Sequence, residues 1–254
     1  MSLQTEFAEI AAIDGRAAMV TVIAGPELGA KLLVRADGSA DGGLGTPELD
    51  RVAVEAAEEL LWAERSETRE AGEATLFVDV VAPAPRLIVF GAVDYAAALC
   101  RLAKAAGWRS FVCDPRSQFA TRDRFPDAEE VIAGWPDESF ARLGGIDRAT
   151  YVAVLTHDPK LDDAALTIAL RSAAPYVGAM GSRRAQAHRR ERLLAAGLDE
   201  ELLDRIAAPI GLDLGAVSPE ETALSIMSEV VAVRNGRDGG RLSESDGRIH
   251  EVGA

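Results

Sequence analysis

The sequence predicts an α/β protein, a Rossmann-like parallel sheet domain preceded by a small α+β N-terminal domain. Three observations predict it. Beyond about residue 83, short apolar runs alternate with helical segments, the pattern of parallel strands joined by crossover helices. Before that point the chain holds a hairpin signal and one amphipathic helix. Between the two lies Ala82-Pro83-Ala84-Pro85, which continues neither helix nor strand. The expected division is therefore 1–82, 83–236 and a flexible tail over 237–254.

In the first part, Met19–Ala24 and Lys31–Val34 flank Gly25-Pro26-Glu27-Leu28-Gly29 and read as a β-hairpin. Asp41-Gly42-Gly43-Leu44-Gly45 reads as a glycine-rich turn. Thr46 then caps a helix with Pro47 at its first position, and Leu49, Val52, Ala56, Leu60 and Leu61 recur at helical spacing to about Ala63. A polar stretch follows, and Thr75–Val81 reads as a strand.

In the second part, the expected strands are Arg86–Gly91, Arg109–Asp114, Glu130–Ile132, Tyr151–Leu155 and Tyr176–Met180. Helices are expected over Asp94–Ala106, Pro136–Leu143, Leu161–Ala173 and Arg184–Ala196. Ser218-Pro219-Glu220-Glu221 forms a capping box that opens a final helix running to about Arg234.

Composition excludes several classes. Of the 254 residues, 48% are apolar, which suits a globular core rather than a disordered chain. Neither a run of eighteen apolar residues nor a signal-peptide pattern occurs, which predicts a cytosolic protein without a membrane partner. The formal net charge of −14 repels phosphate backbones, so nucleic acid is not expected as a partner. Two cysteines, Cys100 and Cys113, fall in an expected helix and strand and read as small buried hydrophobes; no paired ligand spacing suggests a metal site.

Ligands of an open parallel sheet bind beyond the carboxyl ends of its strands. Gly91 and Ala92 open the first such loop, but Val93 replaces the glycine that lets a backbone approach a pyrophosphate, and Asp94 stands where a helix cap would repel one. NAD(P) in its usual pose is accordingly doubtful. Asp114 lies where an acid would hold a ribose hydroxyl, with Arg116 beside it, although Asp before Pro is also a plain turn signal. Thr156 and His157 end the fourth strand; His157 is the candidate general acid or base, or merely orders the loop. Gly178, Gly181, Ser182 and Arg183, followed by Arg184, combine amides, a hydroxyl and guanidinium groups at a helix start, a receptor for phosphate or pyrophosphate. The alternative is tight turning with Ser182 as a simple cap. The arginines at 183, 184, 189, 190 and 192 read either as a solvated helix face or as an anion site through Arg183 or Arg184. Gly211 and Gly215 would let a ligand approach the backbone. His188 and His250 receive no role.

Taken in order, Leu87–Ala92, Asp114-Pro115-Arg116, Leu155-Thr156-His157-Asp158, Tyr176–Arg184, Pro209–Gly215 and Ser218–Ile226 resemble the XdhC/CoxI family of molybdenum-enzyme maturation factors. The resemblance covers about Val80–Arg234 closely. It implies that the chain binds molybdenum cofactor (molybdopterin), serves the apo-enzyme of a molybdenum hydroxylase of the xanthine or carbon monoxide dehydrogenase type, meets a cysteine desulfurase, and forms a homodimer. Two positions depart from the family: Gly-Ala-Gly-His is Gly91-Ala92-Val93-Asp94 here, and Gly-Gly-Cys-x-Glu is replaced by Gly45-Thr46-Pro47-Glu48-Leu49, without a cysteine. An NAD(P)-binding oxidoreductase and a non-catalytic interaction protein are the competing readings.

Overall fold

The computed structural model describes residues 1–244 and divides into two compact units, Met1–Pro83 with the short turn Leu242–Glu244, and Ala84–Arg241. The expected tail over 237–254, with His250 in it, lies from residue 245 onward outside the described residues.

In the first unit, strands β1 (Ala17–Ala24), β2 (Lys31–Arg35), β3 (Ala40–Gly43), β4 (Glu67–Ala71) and β5 (Ala74–Val81) form an antiparallel sheet in the order β3-β2-β1-β5-β4. Alternation along β1 sends Ala18, Val20 and Val22 to one face and Ala17 and Met19 to the other. The first face is covered by Ala53, Ala57, Leu60 and Leu61 of α2 (Pro47–Ala63), capped by Thr46 as its sequence predicts. The second is covered by Leu3, Phe7 and Ile10 of α1 (Leu3–Ala12).

Three elements here depart from the sequence reading. The segment expected to be a glycine-rich turn begins with an edge strand, since β3 pairs with β2 and places Gly42 (φ +102°) where a side chain would strike Lys31 and Leu3. The polar stretch is β4, a strand whose residues reach water on an edge, so it lacks the apolar alternation that identifies buried strands. α1 buries no residue fully, so its sequence lacks a strong apolar stripe.

The second unit holds a six-stranded, wholly parallel sheet: β6 (Arg86–Phe90), β7 (Arg109–Cys113), β8 (Glu130–Ile132), β9 (Thr150–Val154), β10 (Tyr176–Ala179) and β11 (Ile206–Ala207) in the order β11-β10-β9-β6-β7-β8. This is the doubly wound order of two mononucleotide-binding halves, with its reversal between β6 and β9. On one face α3 (Asp94–Ala105) and α8 (Pro219–Arg234) pack on Leu87, Val89, Tyr151 and Ala153. On the other, α4 (Pro136–Arg142), α5 (Pro159–Leu170) and α6 (Arg183–Ala195) cover Ile88, Phe90, Val152 and Val154. The short α7 (Glu200–Asp204) and β11 were absent from the sequence reading because five and two residues carry too little periodicity.

The capping box at α8 is formed as expected, with the Ser218 hydroxyl accepting from the Glu221 amide at 3.1 Å and the Glu221 carboxylate accepting from the Ser218 amide at 3.1 Å. Ser218→Ala should therefore cost about 1 kcal/mol. A thermal melt should register this as a midpoint lowered by roughly 2–4 °C; an unchanged midpoint would show the cap to be dispensable.

Candidate functional site

Four loops leave the carboxyl ends of β6, β7, β9 and β10, and their residues divide into a closed half and an open half.

The closed half follows β6 and β7. Gly91 adopts φ +110°, and a Cβ there would lie 3.0 Å from the Thr156 amide, so glycine is required for the β6 and β9 ends to lie side by side. The Ala92 amide donates to Asp114 Oδ2 at 2.8 Å, and the Val93 amide turns back to the Gly91 carbonyl at 2.9 Å. Asp114 is 0% exposed. Its carboxylate also accepts the Arg116 amide at 2.9 Å, Arg116 Nε at 2.9 Å and Arg116 Nη2 at 2.8 Å. Burial alone pushes this carboxyl up, but the hydrogen bonds from Arg116 and the two amides outweigh it and hold it below its ordinary value. The Asp114 oxygens are thus turned toward the protein, where they accept the Ala92 amide and the Arg116 donors. Arg116 lies over the Phe119 ring at 4.9 Å.

Two further findings concern this turn. Asp94 does not cap α3; Val93 holds the cap position without a side-chain bond, and Asp94 instead meets Arg124 Nη2 at 3.2 Å. Arg124 Nη1 donates to the Ala92 carbonyl at 2.9 Å, so a residue thirty-two positions away clamps the turn. Sequence spacing carried no signal for it.

The open half follows β9 and β10. The buried Thr156 hydroxyl accepts the Asp158 amide at 2.9 Å, and Asp158 caps α5. His157 between them is exposed and makes no hydrogen bond among the described residues, so these two neighbours order the loop without it.

After β10, Gly181 takes φ +133° and α6 begins. Ser182 serves as its cap, its hydroxyl accepting the Ala185 amide at 3.2 Å. The basic cluster is not one solvated face. Arg189, 4% exposed, donates through Nη2 to Asp162 Oδ2 at 2.6 Å and to the Met180 carbonyl at 3.0 Å, tying α6 to α5 and to the loop before it. Burial raises the Asp162 carboxyl and Arg189 opposes that rise. Arg190 meets Glu200 and Asp204, and Arg192 meets Asp163 at 2.7 Å. Arg183 and Arg184 remain, exposed and without an ion pair among the described residues, in a first turn that carries no acid.

Gly178 and Gly211 each lie where a side chain would meet neighbouring atoms. A Cβ on Gly178 would lie 2.5 Å from Ile210 Cδ1 and from the Tyr176 hydroxyl, and one on Gly211 would collide with the Ser225 hydroxyl on α8. The Gly211 amide and the Tyr176 hydroxyl both donate to Glu229. Gly215 (φ +69°) has open space around it. Cys100 and Cys113 are buried and free, with burial pushing their thiols up to about 11 and about 12. Among the described residues no group of three potential ligands gathers to hold a metal ion, and no helix is long and apolar enough to cross a membrane.

A doubly wound sheet with its loops arranged in this way defines a Rossmann-type protein. Two family models match the chain, the XdhC Rossmann domain over residues 87–230 and the XdhC and CoxI family over residues 11–86, and the chain belongs to that family. Among curated relatives it is 30% identical over 159 residues to a probable xanthine dehydrogenase subunit of Bacillus subtilis, covering 63% of this chain and 46% of that one. It is 26% identical over 262 residues to the uncharacterized protein YqeB of Escherichia coli, covering 95% and 48%. It is 30% identical over 152 residues to the molybdenum cofactor insertion chaperone PaoD of Escherichia coli, covering 60% and 41%. The chain thus spans about half the length of these relatives or less. A crystal structure described as a xanthine dehydrogenase from Bacillus halodurans superposes with a TM-score of 0.63 at 24% identity, over 90% of this chain and 65% of that one, and shares the fold.

Asp114→Ala strips the buried Ala92 amide of its partner, which should cost ~1–3 kcal/mol in urea unfolding at pH 7. Because the native carboxyl lies below its unfolded value of about 4, its contribution is complete above that pH. It is lost as pH falls through the lowered native value, so the gap between variant and parent should shrink in acid; a gap that widens there would contradict the assignment.

Proposed function

We propose that this chain is an accessory factor in the maturation of a molybdenum hydroxylase, receiving molybdenum cofactor at the open half of the Rossmann rim and assisting its transfer to the apo-enzyme. The observation that carries this reading is the start of α6, where helix amides, the positive end of the helix dipole and two uncommitted guanidinium groups coincide without a carboxylate. A phosphate tail fits that chemistry. Arg183 and Arg184 would hold it, while Arg189 keeps the loop in place from beneath. Membership in the XdhC/CoxI family and the likeness to an insertion chaperone support the same assignment.

Sulfur handling fits less well. A persulfide carrier needs an accessible thiolate, whereas both thiols here are buried and held protonated at neutral pH. When bound, the cofactor supplies the redox chemistry of the recipient enzyme; this chain's residues bind and orient it. If a cysteine desulfurase participates, the sulfur does not pass through a cysteine of this chain.

The competing NAD(P) reading is disfavoured by the same geometry, since the half that would cradle the adenosine phosphate has its Ala92 amide and its acid committed to each other. Thermal melts separate the two. A ligand at a hundred times its dissociation constant adds about 2.7 kcal/mol, so molybdopterin should raise the midpoint and Arg183→Ala with Arg184→Ala should abolish the rise. NAD and NADP at millimolar concentration should leave it unmoved; stabilisation by NAD that survives the double substitution would overturn the proposal.

A further inference from the structure

A cleft of about 610 Å³ lies within the first unit, between the β1–β2 loop, the start of α2 and the β4–β5 turn, remote in sequence from every residue of the Rossmann rim. Its floor is apolar: Leu44, Leu49, Val52 and Ala74 line it. Its mouth is acidic, carrying Glu27, Glu48, Glu70 and Glu73. All four are exposed, and none forms an ion pair among the described residues. Other carboxylates of this unit are matched to arginines, as Glu55 is to Arg51 and Glu59 to Arg69, whereas Glu9 and Glu58, apart from the cleft, form no ion pair among the described residues.

The backbone of the rim is unusual as well. Glu27 adopts φ +59°, the left-handed turn conformation that closes the loop between β1 and β2. Its side chain lies across Gly45, where a Cβ would approach Glu27 Cγ to 2.5 Å. Leu44 and Thr46, on either side of Gly45, line the cleft, and the left-handed φ of +106° at Gly45 fits glycine.

We propose that this cleft is a docking site for a short segment of a partner protein in which apolar side chains alternate with arginine or lysine. The apolar floor takes the hydrophobic side chains, and the unmatched glutamates complement the cations. An anionic or purely polar segment would leave four carboxylates facing like charge or leave the apolar floor unfilled. This inference is independent of the ligand at the Rossmann rim: it concerns how a partner is recognised and survives if the cofactor proposal fails.

The test uses the full chain and a fluorescein-labelled hexapeptide alternating leucine with arginine, read by fluorescence anisotropy. Saturable binding is expected. Replacing the three glutamates Glu48→Gln, Glu70→Gln and Glu73→Gln should weaken it roughly tenfold, the sum of three rim ion pairs. A control carrying Glu9→Gln, Glu58→Gln and Glu201→Gln makes the same change in net charge away from the cleft and should bind as the parent does. Circular dichroism melts confirm that both variants fold. A serine-for-leucine peptide should bind much more weakly. Equal affinity of the cleft and control variants, equal affinity of the serine peptide, or absence of saturable binding would each overturn the proposal. So would sedimentation showing a dimer of this chain that only the cleft variant dissociates, because the occupant would then be a second copy.

Discussion

The buried carboxylate of Asp114 ties the first phosphate turn of the Rossmann sheet to the end of its neighbouring strand, and the rest of the site's organisation follows from that bond. A dinucleotide fold ordinarily keeps its turn amides and its ribose-binding acid available to a ligand. Here the Ala92 amide and Asp114 satisfy each other, Arg116 takes the remaining capacity of the carboxylate, and Arg124 closes the turn from outside. A group buried that deeply must be paired, so the pairing is obligatory rather than incidental. The consequence is asymmetry: the turn after β6 is internally satisfied, whereas the first turn of α6 carries no acid and its Arg183 and Arg184 form no ion pair among the described residues.

The start of α6 is defined by subtraction. Five arginines crowd α6 and its start in an otherwise acidic chain, and their close spacing gives no hint that they differ. The fold distinguishes them by the partners it brings near: Asp162 and Asp163 from α5, Glu200 and Asp204 from α7. Among the described residues, only Arg183 and Arg184 of these five form no ion pair, at the end of the helix where its dipole favours an anion. The buried Arg189–Asp162 pair has a positioning character, because the same guanidinium nitrogen also holds the Met180 carbonyl just ahead of Gly181.

Much of the fold was legible because it is written in local signals. The five principal strands of the Rossmann sheet are short apolar runs, and α2 and α8 announce themselves through Thr46-Pro47 and Ser218-Pro219. What could not be read was set by partners distant in the chain. Edge strand β4 lacks apolar alternation because one side of it meets water, and β3 looks like a turn because glycine and aspartate are poor strand formers. The closeness of Ile210 and Tyr176 to Gly178, and of Ser225 to Gly211, was likewise set by residues distant in the chain. The placement of Asp114 at a strand end was visible, but its engagement with the first turn twenty-two residues earlier was not.

The proposed function requires an anionic ligand to be received on the β10–α6 side of the rim and not at the β6–α3 turn. The most direct measurement is a backbone amide chemical-shift titration of the isotopically labelled protein with molybdopterin. Shifts should concentrate at residues 181–185 while residues 91–94 stay fixed. Large shifts at Ala92 and Val93, with Ser182 and Arg183 unmoved, would contradict it.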